Sequence, residues 1–375
     1  MTYTDRAVKV TTAVFGAIVL LTAAIPAPEL LSAFVPHWLW MLPTSWFLAF
    51  IGKTILLKLL SDPTVPSLEH KAVLITGCDS GFGRALAKRL DTLGHKVYAC
   101  CQFPDGPGAQ KLQSSASSNL HIIGLDVTKI ESVKNARQKV ESTLGEHKLW
   151  AVVANAGLGV HGYFEWAPME DFQRVFDVNV FGVVRTVQVF APLIRESKGR
   201  VVVTTSFAGR HSTPLLVPYS MTKAAAIAMV EGLRAELDRF GVHVVSVEPN
   251  MYRTNMPPKT TTEIEATWQK LSEDTKEAYG KEAIEEATKL VRNFTFMCVE
   301  DLSSAIACFE HAIRSQYPRD RYSCDRTRNK IATKVVSWLP EEFHTLARRH
   351  LSTALNVQKR FFDFLNTGSS DMKQS

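Results

Sequence analysis

From Lys71 to about residue 250, short runs rich in β-branched and apolar residues alternate with stretches of helical period. The runs at 72–76, 96–101, 121–125, 150–154, 200–205 and 242–247 are strand-length and nearly continuously apolar. That pattern suits strands buried on both faces, because a half-exposed strand alternates apolar and polar positions. The stretches between them, such as 84–93 and 172–193, carry apolar residues at helical spacing. Strands alternating with helices predict an α/β fold, a doubly wound parallel sheet with helices on both faces.

Ahead of this region lie two longer apolar runs. Residues 10–28 carry no charge after Arg6 and Lys9, and residues 30–52 carry none after Glu29. A membrane span needs roughly 20 apolar residues, so both runs qualify. Trp38, Trp40 and Trp46 suit an interfacial belt at the ends of the second. Lys and Arg flank the pair on both outer sides and are missing from the connection at Glu29, which predicts a hairpin with both ends in the cytosol. For the first run the alternative is a cleaved signal peptide, given its basic start and small residues near Ala24. The second run would then act as the stop-transfer segment and leave the following domain on the same side. The expected organisation is an anchor over 1–61, a proline-containing linker over 62–70, a catalytic core over 71–254, and a substrate lid with a C-terminal helical extension over 255–375.

Composition excludes some functions and selects none. The chain has 375 residues, 46% of them hydrophobic, and a formal charge of +6 without a Lys/Arg tract interleaved with aromatics, so nucleic-acid binding is not expected. Six scattered cysteines form no CxxC pair, and no His/Cys/Asp/Glu cluster has ligand spacing; neither a disulfide framework nor a metal site is indicated. The basic residues late in the chain read either as a solvated face or as a contact for anionic lipid headgroups. The tail from Val336 likewise reads as a membrane-surface helix or as ordinary packing.

Candidate chemistry lies at the ends of the apolar runs. Gly77, Gly81 and Gly83, with Ser80 and Phe82 between them, fill a strand-to-helix turn, where bare backbone N–H groups and a helix N-terminus can approach a pyrophosphate. Asn155, Ala156 and Gly157 follow the fourth run. Ser206 closes the fifth, and Tyr219 and Lys223 stand four apart on the next helix, on one face. A cation near a phenol favours phenolate, which makes an acid/base group of it. By itself Tyr-x-x-x-Lys is a common helical pair in which tyrosine packs on a lysine stem.

Together, TGCDSGFG (residues 76–83), NAG (155–157), Ser206, Tyr219 and Lys223 resemble the motif set of the short-chain dehydrogenase/reductase family over residues 71–254. VLITGCDSGFG and PLIRESKGRVV are similar to its membrane-associated steroid, retinol and 3-hydroxybutyrate dehydrogenase branch. The resemblance implies a Rossmann-type sheet and an oxidoreductase interconverting an alcohol and a carbonyl with NAD or NADP. It implies a catalytic tetrad of Asn179, Ser206, Tyr219 and Lys223. In it Tyr219 takes the proton, Ser206 binds the substrate oxygen, Lys223 lowers the phenol pKa and holds the nicotinamide ribose, and Asn179 holds a relay water. From the residues alone, Asn179 reads equally as a satisfied core amide. Asp126, followed by Val127, implies an adenine contact, with a helix N-cap as the alternative. Pro249-Asn250 stands where the family has Pro-Gly, with a left-handed turn expected to survive at Asn250. Thr254 falls at the distance of the family's nicotinamide contact.

Cofactor choice leans to NAD, with NADP not excluded: Cys78, Asp79 and Ser80 and the end of the second run supply no Lys or Arg for a 2′-phosphate, and Asp105 is the nearest expected ribose acid. His161, Phe164, His211, Leu215, Leu216, Tyr252 and Met256 flank the expected substrate pocket. An anionic substrate such as 3-hydroxybutyrate would need a cation from Arg210, Arg253 or Lys259. The anchor favours a lipophilic alcohol, of steroid or retinoid type, and a site on the endoplasmic reticulum membrane with the catalytic domain in the cytosol. The small apolar face of 224–237 permits a homodimer. From another class, the rival reading is a nucleotide-binding membrane scaffold without turnover. The sequon at Asn293 matters only in a lumen.

Overall fold

In a computed structural model of the chain, residues 63–254 and 261–324 are described. The two N-terminal apolar runs, Met256, Lys259 and the tail from Val336 lie outside them.

The six expected strands form, each within two residues of its expected ends: β1 (Lys71–Thr76), β2 (Lys96–Cys101), β3 (Leu120–Gly124), β4 (Lys148–Ala154), β5 (Arg200–Thr204) and β6 (His243–Pro249). A seventh, β7 (Arg321–Cys324), comes from the stretch expected as lid and helical extension. All pairings are parallel, in the order β3-β2-β1-β4-β5-β6-β7. Strand order reverses between β1 and β4, and in such a sheet the carboxyl ends on either side of the reversal open a crevice for a ligand.

The helices are α1 (Gly81–Thr92), α2 (Pro107–Gln113), α3 (Ile130–Thr143), α4 (Met169–Phe176), α5 (Gly182–Ser197), α6 (Val217–Asp238), α7 (Thr261–Gln269), α8 (Glu273–Tyr279), α9 (Glu282–Met297) and α10 (Ser303–Arg314). On one sheet face Ala72, Leu74, Tyr98, Cys100, Val201 and Val203 pack with Val133 and Val140 of α3, Val187 and Phe190 of α5, and Val230 of α6. Their neighbours Val73, Ile75, Val97 and Ala99 point to the other face and are equally buried. There α1 supplies Leu86 and Leu90, and Phe309 of α10 meets Phe82 with ring centroids 6.2 Å apart. Burial of β5 throughout, and of β1, β2, β4 and β6 past their first residues, is why these segments lack polar alternation, while the edge strand β3 is only partly buried.

The run from α4 through α5, Met169–Ser197, is the helix among the described residues long and apolar enough to cross a bilayer. Its apolar side is spent on the sheet through Val183, Val187, Phe190 and Ile194, so it is a core helix. A π-helical turn at Asp177–Phe181 interrupts it and carries Asn179. Such turns widen a helix locally and re-aim one side chain.

The stretch expected as one charged helical lid is three helices. Ser272 caps α8, its Oγ accepting from Thr275 N at 3.2 Å, and Gly280 ends it at φ +71°. Ile264, Trp268, Ala287, Leu290 and Phe294 of this group pack around Trp166 and Leu215. Asn293 of the sequon is buried.

Among the described residues, a smaller unit holds 63–66 and Arg314–Asp320. In it Val65 N donates to Arg314 O at 2.8 Å and Gln316 N to Pro63 O at 2.7 Å. The described part of the expected linker is therefore paired, not free.

Candidate active site

The glycine turn joins β1 to α1. Gly77 has φ +73°, and a Cβ there would lie 2.8 Å from Ala156 Cα. At Gly83 a Cβ would lie 2.3 Å from Gly77 O and 2.6 Å from Asn155 Nδ2, so only glycine lets α1 start this close to the turn. Asn155 fastens the same place: its Nδ2 donates to Thr76 O at 2.9 Å, and its Oδ1 accepts from Thr204 Oγ1 at 3.2 Å. Thr76 Oγ1 in turn accepts from Ala156 N at 2.9 Å. The N-terminus of α1 is left facing the crevice, where its free N–H groups favour an anion.

That crevice is a cavity of about 470 Å³ at the carboxyl ends of the strands. Gly77, Ser80, Gly81 and Phe82 line it from the turn; Asp126, Val127, Asn155, Ala156 and Gly157 line it from the ends of β3 and β4. Ser206, Tyr219, Lys223, Pro249 and Thr254 line the same cavity, and Thr254 lies against the glycine turn, its Cβ 3.3 Å from where a Cβ on Gly81 would sit. Gly83 lies just under the turn, and Asn179 just behind Gly157, whose Cβ would be 3.2 Å from Asn179 Oδ1 and 3.7 Å from Lys223 Nζ.

α6 presents Tyr219 and Lys223 on one face, with Lys223 Nζ 5.6 Å from the Tyr219 ring centroid. Lys223 is buried and donates to Thr204 O at 2.8 Å. Burial pushes its pKa down to about 8. Burial pushes the Tyr219 phenol up to about 12, and a hydrogen bond with Ser206 pulls partway back. Desolvation therefore outweighs the expected help from lysine, and at neutral pH the phenol holds its proton. Ser206 starts the short turn Phe207–Gly209, its Oγ accepting from Ala208 N at 3.1 Å and reaching Pro249 O at 3.4 Å.

Asn179 is fully engaged. Its Oδ1 accepts from Leu158 N and its Nδ2 donates to Leu158 O, both at 2.9 Å, and Nδ2 also reaches Thr222 Oγ1 at 3.1 Å. The amide thus ties the strand after Gly157 to the residue beside Lys223. Asp126 lines the cavity while its Oδ1 accepts from Thr128 N at 3.0 Å and Thr128 Oγ1 at 2.7 Å. The N-cap of α3 is Lys129.

Several expectations change. Asp105 is exposed, and the acid at the end of β2 is Asp79: its carboxylate accepts from Gln102 N at 2.9 Å and Phe103 N at 3.0 Å, and it lines the cavity. Asn250 is not among the described residues with positive φ; its N–H donates to Cys324 O at 3.2 Å, so pairing with β7 replaces the left-handed turn. Arg210 is bound to the buried Glu248 at 3.0 Å, Arg253 pairs with the exposed Glu300 at 2.8 Å, and neither lines the cavity. Of the expected pocket residues, His161, His211, Leu216 and Tyr252 line the cavity. Leu215 packs with Trp166, and Phe164 is exposed against Phe172. Sequence reasoning missed the cavity residues Met251, Phe294 and Cys298. The apolar period of α9 could have suggested Phe294.

The sequence matches the model of the short chain dehydrogenase family over residues 71–265. It is 38% identical over 281 residues to retinol dehydrogenase 7 of Mus musculus, covering 74% of this chain and 88% of that one. It is 37% identical over 277 residues to 17-beta-hydroxysteroid dehydrogenase type 6 of Bos taurus, covering 73% and 86%. The crystal structure of a short-chain dehydrogenase from Streptomyces avermitilis superposes with a TM-score of 0.59 at 25% identity, covering 76% of this chain and 97% of that one. The chain belongs to the short-chain dehydrogenase family of oxidoreductases, which act on CH–OH groups with a nicotinamide cofactor.

Proposed function

We propose that the protein interconverts a lipophilic alcohol, of retinoid or steroid type, and its carbonyl, using NAD, at the endoplasmic reticulum membrane. One observation carries this reading: Ser206, Tyr219 and Lys223 line a single cavity together with the glycine turn. The names of the relatives, retinol and 17-beta-hydroxysteroid dehydrogenases, support the substrate class. So does the lining, in which Leu158, Val178, Leu216, Met251 and Phe294 supply apolar surface and, among the described residues, Lys223 is the only Lys or Arg. A small carboxylate such as 3-hydroxybutyrate finds no free cation there among the described residues, with Arg210 and Arg253 already paired.

The residues fit a nicotinamide dinucleotide. Gly77, Ser80, Gly81 and Phe82 would hold its pyrophosphate against the α1 N-terminus, Asp126 and Val127 the adenine side, and Asn155, Ala156, Gly157, Lys223, Pro249 and Thr254 the nicotinamide half. When bound, this group supplies the hydride acceptor or donor. Asp79 favours NAD, because its fixed negative charge at the end of β2 opposes a 2′-phosphate.

The protein's own groups handle the proton. Ser206 Oγ and the Tyr219 hydroxyl together hold the substrate oxygen. Protonated Tyr219 gives its proton to a carbonyl oxygen in reduction, and ionised Tyr219 takes the hydroxyl proton in oxidation. Lys223, a cation below about pH 8, favours the ionised phenol while its amine is protonated, and Asn179 keeps Leu158 and Thr222 in register around it. The apolar runs 10–28 and 30–52 support membrane attachment, and Phe181 and Met221, exposed on the α5–α6 side, support a homodimer.

The test is reduced-cofactor absorbance with detergent-solubilised full-length protein, NAD or NADP, and retinol, hydroxysteroids or 3-hydroxybutyrate. NAD-linked turnover of retinol or a steroid alcohol is expected. Turnover confined to 3-hydroxybutyrate would overturn the substrate class; cofactor binding without any turnover would favour the scaffold.

A further inference from the structure

We propose that Arg210 is a positioning residue, whose guanidinium fixes the Ser206 turn against β6 and α6 and thereby sets the contact between Ser206 and Tyr219. The inference rests on the function proposed above.

Its basis is an out-of-pattern charge. Glu248 sits in β6 at 1% exposure, in a strand otherwise suited to the core. A carboxylate that deep must be matched by donors. Arg210 supplies two: Nε at 3.1 Å and Nη2 at 3.0 Å from Glu248 Oε1. Arg321 of β7 donates to Oε2 at 2.7 Å, and Ser246 Oγ to Oε1 at 3.2 Å. Buried ion pairs are poor sources of net stability compared with apolar packing, but they fix geometry when several hydrogen bonds converge.

Here the geometry fixed is that of the serine. The turn after Ser206 is closed by Gly209 N donating to Ser206 O at 3.1 Å and Arg210 N to Phe207 O at 3.0 Å. Its front end is pinned to β6, since Thr205 N donates to Val247 O at 2.9 Å. Arg210 pins its back end to the next residue of the same strand, the buried Glu248. Glu248 also precedes Pro249, whose carbonyl lies 3.4 Å from Ser206 Oγ. The same guanidinium reaches Glu231 Oε1 of α6 at 3.5 Å. The turn is pressed onto α6 as well, for a Cβ on Gly209 would lie 2.6 Å from the Lys223 carbonyl carbon. Arg210 thus joins the three elements that carry Ser206, Pro249 and Tyr219.

The test is a double-mutant cycle in full-length, detergent-solubilised protein: Arg210→Gln, Ser206→Ala and the two combined. One readout is kcat and KM with retinol or a hydroxysteroid. The other needs no turnover: the 13Cζ resonance of Tyr219 in tyrosine-labelled protein, assigned by its loss in Tyr219→Phe. Arg210→Gln should lower kcat about ten- to a hundredfold, as small misplacements near the chemistry do, with cofactor KM little changed. It should move the Tyr219 resonance in the direction that Ser206→Ala moves it, and neither readout should change further when both substitutions are present. Arg210→Lys, which keeps one charged contact, should recover part of both and carries the same cycle if the glutamine variant does not fold. A Tyr219 resonance unmoved by Arg210→Gln, or additive effects of the two substitutions, would overturn the proposal. If no alcohol is turned over, the proposed function fails, and the resonance still decides the role of Arg210.

Discussion

Lys223 Nζ donates to the Thr204 carbonyl at 2.8 Å from a position 3% exposed, so the helix that carries the candidate acid/base is tied to the end of β5 through a buried cation. A buried ammonium costs free energy, and the depressed pKa near 8 is the measure of it.

Stability should therefore rise with pH in one defined window. The folded pKa of Lys223, about 8, lies below its unfolded value of 10.5, so between them the unfolded chain binds more protons. Unfolding free energy should increase from pH 8 toward 10.5, against the penalty present below pH 8. Lys223→Met should flatten that rise and stabilise the protein near pH 7 by as much as about 3 kcal/mol, less the lost bond to Thr204. Denaturant unfolding of both proteins at pH 7 and pH 9.5 checks this, and equal pH slopes would refute it.

Gly83→Ala should damage cofactor binding more than folding. The added methyl would sit 2.3 Å from the Gly77 carbonyl and 2.6 Å from Asn155 Nδ2, and backbone cannot yield as a flexible side chain would. Stability should fall by about 1–3 kcal/mol, as overpacking usually costs. Quenching of tryptophan fluorescence by NADH should show affinity reduced at least tenfold, since α1 and the turn must part.

Asp79→Asn should shift cofactor preference toward NADP. It removes the negative charge at the end of β2 yet keeps a hydrogen-bonding side chain beside Gln102 and Phe103. Arg84, whose Nη1 lies 3.4 Å from the Asp79 carbonyl, then becomes the nearest charged group. Relative kcat/KM for NADP over NAD is expected to rise about ten- to a hundredfold, a span of roughly 1.4–2.8 kcal/mol. An unchanged ratio would mean that Asp79 only braces the loop.

What the sequence disclosed and what it hid divide by range. β1 to β6 are legible because each is a local, largely apolar run, and the glycine turn because its motif lies within one short stretch, although the crowding that demands glycine there comes largely from Ala156 and Asn155, far along the chain. β7 is not: Arg321–Cys324 is a short, partly polar segment that becomes a strand only by pairing with Ser246 to Pro249. That pairing also takes the place of the left-handed turn expected at Asn250, whose N–H donates to Cys324 O. Glu248 looks like a solvated charge until Arg210 and Arg321, far apart in sequence, are brought to it. Likewise Asp79 reads as a missing base until the fold places its carboxylate on the end of β2. The expected tetrad entered through the family resemblance, not through spacing alone, and the upward shift of Tyr219 depends on burial that neither reports.

Because Tyr219 is pushed up to about 12 in the described site, the oxidation rate should climb with pH while reduction is favoured at neutral pH, where the phenol carries its proton. The most direct measurement is kcat for alcohol oxidation by Tyr219→Phe beside the unaltered protein, with the NADH dissociation constant of each measured by fluorescence. The account predicts a loss of at least about a thousandfold in kcat, with the alkaline rise abolished and NADH affinity within about threefold. Turnover retained within tenfold, with the same pH dependence, would contradict the assignment of Tyr219 as the group that moves the proton.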